Sequence, residues 1–170
     1  MEFAGMTYSP SRARFLRGDF SGTGTPCIRP PWALIEPDFV ALCDGCGECI
    51  DACPERILSS GRGGYPQVDF SASECTFCER CARACARGAL RYSLDRDPWG
   101  LKAGIAPGCL AMNQVVCRTC SESCQEGAIR FRMSVGAVSR PQVDPDRCTG
   151  CGACVGPCPV AAVTIGEGAA

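Results

Sequence analysis

Three short segments alternate apolar and polar residues with a period of two: Ala89-Leu-Arg-Tyr-Ser93, Ala128-Ile-Arg-Phe-Arg132 and Ala161-Ala-Val-Thr-Ile165. That period marks a half-buried strand, and their shortness suits hairpins. Two other segments, Pro66-Gln-Val-Asp69 and Pro141-Gln-Val-Asp144, repeat residue for residue, and each reads as an extended piece leading into a cysteine-rich loop. The pattern predicts a small, loop-rich α+β fold of short strands and short helices, in which one unit of 31 or 32 residues recurs (Cys43 to Cys75, Cys117 to Cys148).

Composition changes the picture of what holds such a fold together. Of 170 residues, 17 are cysteine, 20 glycine and 13 proline, against two Trp, three Tyr and seven Phe. Few large apolar side chains and many turn formers do not make a deep core. Disulfides, zinc and iron–sulfur clusters are the three candidate staples. Residues 1–24 contain no apolar run of signal-peptide length and no 18-residue apolar stretch exists, so a reducing cytoplasm is expected. Zinc sites favour paired ligands separated by a long gap and often use histidine, and this chain has no histidine. Its absence also excludes a Rieske centre, c-type haem and the commonest general base. A net charge of −1 without a basic block gives no footprint for nucleic acid.

The cysteines fall into four runs. Cys148-Thr-Gly-Cys151-Gly-Ala-Cys154-Val-Gly-Pro-Cys158-Pro159 and Cys43-Asp-Gly-Cys46-Gly-Glu-Cys49-Ile-Asp-Ala-Cys53-Pro54 match the bacterial ferredoxin spacing in full. Cys75, Cys78, Cys81 and Cys85 keep the spacing, with Ala86 where proline is expected. The remaining run is irregular: Cys109, then Cys117, Cys120 and Cys124 after an insertion from Leu110 to Val116, and Gln125 in place of proline. In this spacing the fourth cysteine reaches the neighbouring cluster. Four [4Fe–4S] ligand sets follow: Cys43, Cys46, Cys49 and Cys85; Cys75, Cys78, Cys81 and Cys53; Cys109, Cys117, Cys120 and Cys158; Cys148, Cys151, Cys154 and Cys124. All sixteen clustered cysteines are consumed, and Cys27 is left over without a role.

The expected organisation is an arm and cover segment over 1–42, a 2[4Fe–4S] module over 43–97, a connector over 98–108 and a second module over 109–170. In the arm, Arg12, Arg14, Arg17, Phe15 and Phe20 form a candidate docking patch, weighed equally against a terminus with no role. Arg29-Pro-Pro-Trp32 is expected to cover the first module. Trp99 is expected to pack across the junction of the halves within an otherwise hinge-like connector.

Thiolate-capped cubanes leave no open position for substrate, so no catalytic residue is assigned and the chemistry is one-electron transfer. Gly45, Gly47, Gly150 and Gly152 are expected to turn backbone N–H groups towards cluster sulfurs. By stretch, Asp44, Glu48, Asp51 and Glu55 make the first cluster harder to reduce than the second, which follows Arg80, Arg83, Arg87, Arg91 and Arg96. That basic stretch is read as a solvated face, with docking of an acidic partner as the alternative.

The chain resembles the NapF-type ferredoxins of the periplasmic nitrate reductase system. The likeness lies in the arginine–Phe-Leu-Arg-Gly arm, Arg29-Pro-Pro-Trp32, Gly64-Tyr-Pro-Gln-Val-Asp-Phe70, Cys75-Thr-Phe-Cys78, Pro98-Trp99, Val116-Cys-Arg-Thr-Cys120, Ala128-Ile-Arg-Phe131 and Cys148-Thr-Gly-Cys151. It implies a cytoplasmic iron–sulfur protein that meets the cofactor-poor precursor of the molybdenum-containing catalytic subunit before export and assists its maturation. A generic electron-transfer subunit docking to a membrane-bound reductase or hydrogenase is the rival. A zinc- or disulfide-stabilised interaction module without redox role is the third reading.

Overall fold

The computed structural model describes residues 27–134 and 136–167, so the arm's candidate docking patch lies outside the described residues. Tight winding around the cysteines confines most helix to single turns: α2 (Glu48–Asp51), α3 (Arg80–Ala84) and α4 (Thr119–Glu122). The seven-residue α1 (Glu36–Leu42) precedes them. Pro37 in its first turn has φ preset and lacks only an N–H with no partner there, while Glu36 and Asp38 face the positive end of the dipole. α1 buries Phe39 completely and stops at Cys43, whose amide still bonds the Phe39 carbonyl at 2.9 Å before the chain turns extended.

Among the described residues the strands form three antiparallel pairs. β1 (Leu58–Ser60) pairs with β2 (Pro66–Val68), and β4 (Ile129–Ser134) pairs with β5 (Ala137–Val143), each as the inner hairpin of one module. The repeated Pro-Gln-Val-Asp segments sit at equivalent places. The Asp69 amide donates to the Ile57 carbonyl and the Asp144 amide to that of Ala128, both at 2.8 Å. Each aspartate carboxylate then accepts from a backbone amide two residues on, Ser71 at 2.8 Å and Asp146 at 3.2 Å. Those turns redirect the chain into the next cysteine run.

Two expectations change. The stretch 98–108, expected as a connector, contains β3 (Leu101–Ile105), which pairs along its length with β6 (Val163–Glu167). Leu101 and Ala103 are buried there. Flanking Pro98, Gly100 and Pro107, with Gly104 inside, hid a strand within loop composition. Conversely, Ala89–Ser93 forms no strand. Leu90 makes an isolated bridge to Ala33, with the Leu34 amide on the Ala89 carbonyl at 3.0 Å. The opposing Pro30 and Pro31 have no N–H to extend a ladder.

Trp99 packs across the junction as expected. Its Nε1 donates to the Thr149 carbonyl at 2.9 Å, and its ring stands edge-on to Phe70 and Phe77 at 5.9 and 5.7 Å. Trp32 is buried, its amide donating to the Pro98 carbonyl at 2.6 Å and its ring edge-on to Tyr92 at 5.3 Å. One thin core runs through both modules, and much of it is alanine and cysteine (Ala82, Ala89, Ala103, Ala128; Cys49, Cys81, Cys120, Cys148, Cys154). Small side chains bury little apolar area, so the core leaves room and need for another cohesive element.

Candidate iron–sulfur centres

The wrap of each run is a backbone property. In the first and fourth runs the residues two and four after the leading cysteine are Gly45 and Gly47 (φ +71° and +83°) and Gly150 and Gly152 (+74° and +86°). The second run makes the same wrap without glycine: Phe77 and Glu79 hold φ of +52° and +65°. Each such residue costs roughly 1–2 kcal/mol relative to glycine. Phe77 gains its contact with Trp99 at that position. Sequence reading missed this strain, although the register of the runs marks both positions.

The turn after each fourth cysteine is also shared. Amides of Arg56, Gly88, Gly127 and Ala161 bond the carbonyls of Cys53, Cys85, Cys124 and Cys158 at 3.0–3.2 Å. Ala86 and Gln125 therefore keep the turn that proline takes elsewhere.

The structure gathers the sixteen thiols in fours. Cys43, Cys46, Cys49 and Cys85 line one cavity with Phe39 and Leu90. Cys53, Cys75, Cys78 and Cys81 line a second with Trp32 and Ile57. Cys124, Cys148, Cys151 and Cys154 line a third with Ala103 and Ile165. In the fourth group, burial and then the nearby Cys109, Cys117 and Cys158 push the Cys120 thiol up to about 11. Burial likewise pushes Cys49 up to about 11 and Cys75, Cys81 and Cys154 to about 12. Without a cation these thiols stay protonated at neutral pH, and four thiolates together need a positive core. An all-sulfur donor set suits iron–sulfur chemistry.

Backbone amides aim at several of the sulfurs. Leu90 donates to Cys85 Sγ at 3.5 Å, Ala103 to Cys148 Sγ at 3.4 Å, and Ala128 and Ala162 to Cys124 and Cys158 Sγ at 3.3 Å. Such bonds stabilise sulfur charge and raise reduction potentials. Cys27 stays apart, exposed, with its thiol 3.6 Å from Gln67 Oε1.

Charge by stretch proves misleading. Arg87 lines the first cavity, because Cys85 two residues earlier belongs there, and it pairs with Asp44 at 2.7 Å. That guanidinium holds the Asp44 carboxyl below the usual range. Glu55 and Glu79 instead line the second cavity. Arg87 thus belongs with the first cavity, and Arg83 offsets Glu79 at the second. Within the basic stretch Arg83 pairs with Glu79, Arg91 bonds the Gly88 carbonyl and Arg96 the Ala33 carbonyl.

The model of the 4Fe-4S dicluster domain matches this chain twice, at residues 42–89 and 115–162. The chain is 44% identical over 137 residues to the ferredoxin-type protein NapF of Escherichia coli K12, covering 81% of this chain and 83% of that one. It is 42% identical over 167 residues to NapF of Haemophilus influenzae, covering 92% and 93%. The methylamine utilization ferredoxin-type protein MauM of Methylophilus methylotrophus is 34% identical over 155 residues, covering 81% and 69%. Among the described residues no helix is long and apolar enough to cross a membrane.

Proposed function

The chain belongs to the NapF family of ferredoxin-type proteins, built from paired 4Fe-4S dicluster domains, and on that footing we propose that it carries single electrons through four [4Fe–4S] clusters to assist maturation of a molybdenum-containing nitrate reductase subunit before export. The observation that carries the reading is the gathering of cysteines from reciprocal runs, with Cys85 beside Cys43, Cys53 beside Cys75, Cys124 beside Cys148, and Cys158 beside Cys120.

The ligand sets are Cys43, Cys46, Cys49 and Cys85; Cys53, Cys75, Cys78 and Cys81; Cys109, Cys117, Cys120 and Cys158; and Cys124, Cys148, Cys151 and Cys154. Clusters held there supply reversible one-electron storage, within a family range of about −700 to +450 mV. The chain's own residues set where in that range each site falls. Amides on Cys85, Cys124, Cys148 and Cys158 stabilise the reduced state, Arg87 does so at the first site, and Glu55 and Glu79 oppose it at the second. The role proposed is that of an electron carrier rather than a catalyst, and the cytoplasm, where thiolates stay reduced, is the setting proposed.

Anaerobic pull-down of the tagged full chain tests the partner. Recovery of the unexported, cofactor-poor catalytic precursor supports maturation. A stable complex with mature reductase or hydrogenase subunits instead favours a generic electron-transfer role, to which the likeness to MauM lends weight.

A further inference from the structure

The two modules meet on ligand residues. The Cys75 amide donates to the Cys151 carbonyl at 2.8 Å. Among the described residues no other backbone hydrogen bond joins cysteines of two different sets. The approach is close by construction. A Cβ on Gly152 would stand 2.1 Å from the Phe70 ring, and one on Gly156 would stand 2.9 Å from the Ser71 carbonyl oxygen. Trp99 closes the seam, touching Phe70 and Phe77 on one side and Thr149 on the other. The chain has therefore given up side chains on the second module's cysteine loop to bring it against the first module.

We propose that the Cys75–Cys151 contact is the electronic junction between the modules, so that the ligand sets work as one line. The order runs from the set of Cys43 to that of Cys75, across to that of Cys148, and on to that of Cys109. This rests on the four-cluster reading. Across the junction one electron moves, so the donor site is oxidised by one as the acceptor site is reduced by one. No bond breaks, no proton moves and no outside reagent enters that exchange. The hydrogen bond supplies a short bonded path from the Cys75 backbone to the Cys151 backbone, where the outer sets have none. Outside partners then exchange electrons at the two ends, beside Cys46 and beside Cys117.

Two variants open the seam without touching a thiol. Gly156→Leu drives a side chain against Ser71, and Trp99→Ala removes the ring and the bond to Thr149. Iron content is measured first on the full chain, because a wild type with fewer than four clusters sinks the underlying reading independently of the junction. With iron retained, fully reduced samples of both variants should lose part of the magnetic broadening that the wild type shows by electron paramagnetic resonance. Trp99→Phe, which keeps the ring contacts, should retain it. Identical broadening in the wild type and both opened variants overturns the junction. If the opened variants shed iron, power saturation of the wild type decides during stepwise reduction. Faster relaxation of one module's signal once the other takes its electron supports the junction, and relaxation indifferent to the other module refutes it.

Discussion

The two modules wrap their cysteines alike and support the wrap by different means. In the second module, β3 and β6 share a five-residue register and β4 pairs with a seven-residue β5. In the first, the inner strands have three residues each and the outer pairing is a single bridge. Rings and one arginine fill that deficit. Trp32 stands on Tyr92 and Phe39 on Tyr65, while Arg29 lies over Phe39 and Tyr65 at 4.9 and 5.5 Å and pairs with Glu36. The cysteine spacing dictates the shared part, and what surrounds it is free to be ladder or side-chain packing.

The largest effect that can break this comparison is removal of iron. With cores of alanine and cysteine, neither module should survive it, since site formation and folding are one process. Circular dichroism and thermal melting after complete chelation should show no cooperative transition, and any residual strand signal should map by hydrogen exchange to β4 and β5 in the second module. A cooperative melt of the iron-free chain would count against cluster-dependent folding in both halves.

Next in size is Trp32→Ala, which should destabilise the first module by about 3–5 kcal/mol, the range for deleting a buried large aromatic. Denaturant unfolding should separate the halves, with early loss of the cluster signal from the first module and little change in the second. Equal loss from both would mean that the ring supports the whole chain.

The legibility of these features in the sequence follows the same division. Cysteine spacing announced which thiols gather in fours, and the repeated Pro-Gln-Val-Asp announced the strand that leads into each wrap. Trp99 could be placed at the seam because an aromatic in a loop seeks a surface. β3 was not legible, because it is five residues long, carries Gly104 and is framed by Pro98, Gly100 and Pro107. The missing strand at Ala89–Ser93 depends on prolines more than fifty residues away in the chain. Arg87 was placed with the second run because charge was summed along the sequence, whereas the fold sets it with Cys85 at the cavity of Cys43, Cys46 and Cys49.

Smaller effects sharpen the comparison. On the exposed face of the second hairpin Arg132 lies directly opposite Arg140, with Arg130 beside them, and no carboxylate pairs with any of the three among the described residues. Arg132→Glu should therefore stabilise that hairpin by about 0.5 kcal/mol, read as a small rise in the second module's unfolding midpoint. The first hairpin, with Ser59 opposite Gln67, offers no such gain. Arg87→Ala should leave the melting temperature essentially unchanged, because its pair with Asp44 is solvent-exposed. It should nonetheless shift the first site's reduction potential downwards in a redox titration, since a cation facing the added electron is lost.

Four complete ligand sets are the claim on which both halves rest, and metal analysis of the full chain purified without oxygen tests it most directly. The account predicts roughly sixteen irons and as many acid-labile sulfides per chain, at four of each per cubane. About eight of each, or zinc in their place, would contradict it.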